Sequence, residues 1–145
     1  MNSITMILPG VYVGGVETVI NLPNYISRVV NCATELTNLS NRSIGNYLRI
    51  DLDDSGSPKD LELFERSIRQ VINFIEQGLD QNQNILIHCF MGTSRSCSVA
   101  TAFVLSQKPE LTVQEAVDFV ISKRPMAFDG GERQVYREVL DEYFP

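Results

Sequence analysis

Ile85-Leu86-Ile87-His88-Cys89-Phe90-Met91-Gly92-Thr93-Ser94-Arg95-Ser96-Cys97-Ser98 is the stretch that decides the fold. Ile85 to Ile87 is a short apolar run of β-formers, the length of a buried strand. It ends at His88-Cys89, and five residues separate Cys89 from Arg95. From Val99 to Leu105 the chain is apolar and free of glycine and proline, which reads as a buried helix. The pattern is strand, tight loop, helix N-terminus. A helix N-terminus presents unpaired N–H groups and the positive end of a dipole, and a loop closing onto it makes an anion cradle. The same field favours a thiolate, so Cys89 is read as a nucleophile at neutral pH. Arg95 adds a planar fork that can take two oxygens of a phosphate. Nucleophile, cradle and clamp together describe phosphoryl transfer to cysteine.

His88-Cys89-x5-Arg95-Ser96 matches the H-C-x5-R-[S/T] signature of the cysteine-dependent protein phosphatases. The short chain and the S-R-S ending resemble their dual-specificity, VH1-like branch, as does the opening L-P-G-V-Y-V-G-G at residues 8–15. The resemblance implies a protein-tyrosine-phosphatase-like α/β fold: a single small mixed sheet covered by helices, with the Cys-x5-Arg loop between central strand and helix. It implies cleavage of phosphotyrosine and phosphoserine/threonine through a phosphocysteine, with no metal and no other cofactor. Residues Phe90, Met91, Gly92, Thr93, Ser94 and Arg95 then bind the phosphate, and Ser96 donates to the sulfur when it leaves.

Such chemistry needs a carboxyl group near the loop but outside it. Asp51, Asp53 and Asp54 follow a strand-like run and precede a helix, a place for a mobile loop. By the family pattern Asp54 is the general acid, with Asp53 as competitor. Period 2 along an extended segment puts Asp51 and Asp53 on one face and Asp54 on the other. His88, the one histidine, adjoins Cys89 along a strand and so points away from its sulfur; it is read as a buried, hydrogen-bonded support for the loop. Arg124 is open between two readings, a second-phosphate ligand beside the pocket and a solvated cation at a helix end. Cys97 is read as packing, with a redox role as the alternative, and Cys32 as a small buried hydrophobe. Met91 departs from the small residue common in dual-specificity loops, and Asp129-Gly130-Gly131 departs from the Pro-Asn pattern of that segment.

The 145 residues suggest one catalytic domain over 1–145. Apolar residues make up 43% and the net charge is −6, which argues against a general nucleic-acid binder and against an acidic membrane surface. The first residues lack the basic and long apolar regions of a secretory signal. Three cysteines without framework spacing fit a reducing compartment, cytoplasm or nucleus. The expected partner is a phosphorylated protein, while the oligomeric state is left open. The loop carries no Lys or Arg before Arg95, whereas the related phosphatases of phosphoinositides and RNA 5′-triphosphates add basic residues there. Two alternatives stand: the same chemistry on an RNA, carbohydrate or lipid phosphate, and a phosphoprotein-binding module without catalysis.

In chain order, strands are expected at residues 6–8, 11–13, 28–32, 47–50 and 85–87. Residues 34–45 read as a loop or short helix. Helices are expected at 18–22, from Ser57-Pro58 to about Gly78, from the phosphate loop to about Leu105, from a Thr112/Glu115 capping box to Arg124, and at 132–143, the last burying Val135, Val139 and Leu140.

Overall fold

The computed structural model describes residues 3–41 and 43–145. Met1 and Asn2, which open the N-terminal reading, and Arg42, within the 34–45 segment, lie outside the described residues. Five strands, β1 (Ile4–Leu8), β2 (Val11–Gly14), β3 (Arg28–Asn31), β4 (Asn46–Arg49) and β5 (Ile85–His88), form one sheet in the order β1-β2-β5-β3-β4. Among the described residues β1 and β2 pair antiparallel and the other three pairs are parallel. β5 therefore lies at the centre, between β2 and β3.

A central parallel strand is covered on both faces and needs an unbroken apolar run. Ile85, Leu86 and Ile87 are all fully buried. Alternation sends Ile85 and Ile87 into the main core, while Leu86 joins Val19, Leu22, Ile26 and Val29 on the other face. Among the described residues six helical segments complete the fold: α1 (Val16–Ile20), α2 (Pro58–Asp80), α3 (Arg95–Gln107), α4 (Val113–Lys123), α5 (Phe128–Gly131) and α6 (Arg137–Tyr143). No helix among the described residues is long and apolar enough to cross a membrane.

The α2 start is as expected: the Ser57 side chain accepts from Asp60 N and Pro58 occupies the first turn. Its end falls two residues past Gly78, at Asp80. Gly78 is there for space: a Cβ would lie 2.6 Å from Arg28 Cδ. The α4 capping box is present, with Glu115 N donating to Thr112 Oγ1 at 3.1 Å and Thr112 N to Glu115 Oε1 at 2.9 Å. α3 is buried on all sides from Arg95 to Leu105, which fixes its N-terminus rigidly beneath the loop.

Two expected helices shift. α1 begins at Val16 rather than Thr18, since the carbonyl of Phe90 captures Val16 N at 2.8 Å. The final helix begins at Arg137 rather than at Glu132, and the short segment α5 before it contains non-helical residues. Phe128, Asp129, Gly130 and Gly131 all have positive φ, and Phe128 N donates to Thr93 O at 2.7 Å. This left-handed turn is pinned to the loop between β5 and α3, and residues 132–136 form no helix. Val135 is only half-buried, and Tyr136 takes the core position beside Val139 and Leu140.

Candidate active site

The loop between β5 and α3 wraps the Cys89 sulfur. Gly92 N donates to Sγ at 3.3 Å, and Ser96 Oγ lies 3.2 Å from it. Gly92 has φ 72°, and a Cβ there would meet Arg124 Nη2 at 2.6 Å and Gly14 O at 2.8 Å, so only glycine lets the loop close this tightly. Ser94 stands at the N-cap of α3, yet its hydroxyl makes no capping bond. It donates instead to Asp54 Oδ1 at 2.6 Å, tying the loop to the acid expected from the sequence.

Arg95 is 7% exposed and its donors can be counted. Nη1 donates to Glu35 Oε1 at 2.6 Å and to Leu52 O at 2.9 Å, and Nη2 donates to Glu35 Oε2 at 2.7 Å. Nε–H and the second Nη2–H remain, side by side on one edge of the guanidinium, as a two-pronged donor for a phosphate. Burial works against the Arg95 charge, but the hydrogen-bonded Glu35 carboxylate and the nearby Cys89 sulfur outweigh it and raise its pKa further. The same hydrogen bond holds the Glu35 carboxyl below its ordinary value. Glu35 is a residue of this site that the sequence reading missed. Its one signal is a carboxylate four residues beyond β3, at the carboxyl end of the sheet, where ligands gather in α/β folds.

Arg95→Lys is expected to lose about 10²–10³-fold in kcat/KM, because an ammonium cannot supply two fixed donors. Glu35→Gln leaves both prongs present but less firmly oriented. Its side chain is half exposed, so the loss is expected to be about fivefold, the scale of a partly exposed pair. Steady-state kinetics on an aryl phosphate checks both; near-wild-type rates in Arg95→Lys would remove the clamp.

Asp54 accepts at both carboxylate oxygens, from Ser94 and from Arg133 Nη2 at 2.9 Å. Asp53 is exposed and accepts from Ser55 N at 3.0 Å, within its own turn. The period-2 argument separating them does not apply here, because Asp54 has φ 64° and the segment is a turn, not a strand.

Arg124 is not the solvated cation of its second reading. It is 2% exposed; Nε donates to Gly92 O at 2.7 Å and Nη1 to Thr5 Oγ1 at 2.8 Å. It is a buried brace behind the loop. Cys97 packs there too, its Sγ 3.5 Å from Gly92 O, and burial pushes its thiol up to about 12. Cys32 is wholly buried, and its thiol is raised well above the ordinary value by the same cause.

His88 is 1% exposed, with Nδ1 3.5 Å from the Cys89 carbonyl oxygen; Nε2 has no partner among the described residues. Burial lowers its pKa from 6.5 to about 4, so the folded protein keeps it neutral while the unfolded chain protonates. Stability therefore falls as pH drops from 6.5 towards 4, by about 3 kcal/mol in all from this group. Urea unfolding of wild type and His88→Gln across that window is expected to show the shallower pH dependence in the variant. Equal slopes would mean that His88 titrates alike folded and unfolded.

A family model described as the dual specificity phosphatase catalytic domain matches residues 11–136. The chain belongs to this family. Among curated relatives of this dual specificity phosphatase domain, the human dual specificity protein phosphatase 16 is 31% identical over 125 residues, covering 83% of the chain and 18% of that protein. A putative tyrosine phosphatase of Invertebrate iridescent virus 6 is 29% identical, over 86% of the chain and 82% of its own length. The chain spans about a third or less of the length of several other relatives. The solved structure of DUSP15 superposes with a TM-score of 0.82 at 27% identity, covering 99% of this chain and 88% of that one.

Proposed function

We propose that this domain hydrolyses phosphotyrosine and phosphoserine/threonine in proteins through a phosphocysteine. The observation that carries the reading is the Cys89 sulfur, held between Gly92 N–H and Ser96 Oγ, with Asp54 joined to the same loop through Ser94. Cys89 Sγ attacks phosphorus as the P–O bond to the substrate breaks. The departing oxygen takes its proton from Asp54. Loop N–H groups and the free edge of Arg95 hold the non-bridging oxygens. Water, deprotonated by Asp54, then attacks the phosphocysteine; the S–P bond breaks, and Ser96 donates to the released thiolate. Membership of the family and the intact Cys89, Arg95 and Asp54 support catalysis over mere phosphoprotein binding.

The loop offers no cation between Cys89 and Arg95, and Arg124 is committed to Gly92 O, Thr5 and Ser3. The site suits a single phosphate. Since the thiolate must stay reduced, the proposed place of action is the cytoplasm or nucleus. Phosphotyrosine and phosphothreonine peptides, an RNA 5′-triphosphate and a phosphoinositide at equal concentration test the substrate class. Turnover of both peptides with little on the others is expected; preference for either non-protein phosphate would overturn the protein-phosphatase reading.

A further inference from the structure

Asp54 adopts a left-handed backbone conformation, φ 64°. Few residues other than glycine take this conformation, and it persists where the surroundings favour it. Three side chains do so. Ser94 and Arg133 hold the carboxylate, and Arg133 Nη2 also donates to the Asp54 carbonyl at 3.1 Å. The third is Tyr136, 82 residues away in the chain, whose hydroxyl accepts Asp54 N–H at 3.1 Å.

Tyr136 is fully buried, and its ring packs on Phe64 with centroids 4.7 Å apart. Its hydroxyl donates to Asp60 Oδ2 at 2.8 Å. Asp60, itself 4% exposed, also accepts Asp53 N at Oδ1 and Gly56 N at Oδ2, each at 3.1 Å. One buried carboxylate thus gathers three donors, which is what makes its burial tolerable. The polarity of the chain of bonds is set: burial and the Asp60 carboxylate raise the phenol well above its ordinary value, so the hydroxyl stays protonated. It gives its proton towards Asp60 and keeps a lone pair for Asp54 N–H.

We infer that Tyr136 and Asp60 are positioning residues for the general acid, presetting the Asp54 loop before substrate arrives. The sequence suggests a mobile loop at this place; these bonds hold it in the working position instead. The inference rests on the phosphatase reading and on Asp54 as its acid. Neither residue touches the reacting atoms. Tyr136 acts through the backbone of Asp54, and Asp60 acts through Tyr136 and the N–H groups of Asp53 and Gly56. A displaced acid harms only reactions that need its proton. A purely structural role would lower all rates together.

Tyr136→Phe keeps the ring and removes the hydroxyl. Its kcat/KM is compared with wild type on phenyl phosphate, which has a poor leaving group, and on para-nitrophenyl phosphate, which has a good one. Inhibition by tungstate reports the phosphate loop separately. We expect phenyl phosphate to slow about tenfold or more, within what a misplaced group costs. The para-nitrophenyl phosphate rate is expected to change less than twofold, with tungstate inhibition unaltered. Asp60→Asn, which keeps an acceptor oxygen but loses the charge, is expected to show the same selectivity to a smaller degree. Equal slowing on both substrates, or no slowing in either variant, overturns the inference. If Asp54→Asn itself shows no selectivity between the substrates, the acid assignment falls, and the inference with it; selectivity in Asp54→Asn but not in Tyr136→Phe defeats the inference alone.

Discussion

Cys89→Ser is expected to bring hydrolysis of para-nitrophenyl phosphate down at least about 10⁴-fold, the scale on which removing the nucleophile acts in covalent enzymes. A hydroxyl in place of the thiol needs a base to attack phosphorus. His88 is no such base: it lies against the Cys89 carbonyl oxygen, not the sulfur, and burial keeps it neutral. The anion site itself does not depend on the sulfur. Gly92 N–H and the free edge of Arg95 remain, so tungstate is expected to bind the variant within a few-fold of wild type. Fluorescence or calorimetric titration measures the second part. Metal chelators are expected to leave wild-type activity unchanged. A chelator-sensitive activity that survives in Cys89→Ser would refute the cysteine mechanism.

The second large effect separates Asp54 from Asp53. General acid catalysis is worth about 10²–10⁴-fold, and most of it should be lost in Asp54→Asn on phenyl phosphate or a phosphoserine peptide. An aryl phosphate with a good leaving group needs the proton less and should lose much less. The dependence of kcat/KM on leaving-group basicity therefore steepens, and the basic limb of the pH–rate profile, which belongs to the acid, flattens. Asp53→Asn should leave both nearly unchanged, because its carboxylate is exposed and engaged with Ser55 N in its own turn. Asp54, by contrast, is joined directly to the phosphate loop by Ser94. Comparable losses in the two variants would mean only that the turn is disturbed, and a reversed ranking would move the acid to Asp53.

Much of the site is legible because it is local in sequence. Ile85 to Ser96 carries the strand, the loop, Cys89, Arg95 and the Ser96 hydroxyl within twelve residues, and a strand running into a loop and a helix N-terminus brings them together by backbone geometry alone. The caps at Ser57 and Thr112 are legible for the same reason. The extent of the last helix was not: the periodicity of residues 132–143 favours helix, but the helix begins only at Arg137, after Tyr136 has turned into the core onto Phe64 and Asp60. Gly78 looks like a helix end and is a space-saving residue inside one.

The linear order of residues thus determined the chemistry this chain can attempt: a cysteine and an arginine with five residues between them at a helix N-terminus, with aspartates upstream. Only the tertiary structure decided how that chemistry is aimed. Glu35 reaches Arg95 across 60 residues, Tyr136 reaches Asp54 across 82, and Arg124 turns inward to Gly92 O across 32. A side chain's partner at such separations depends on how strands and helices pack, not on its neighbours in the chain. No local pattern could show that Arg124 is a brace, that Asp60 is buried, or that Asp54 is held in place from the far end of the domain.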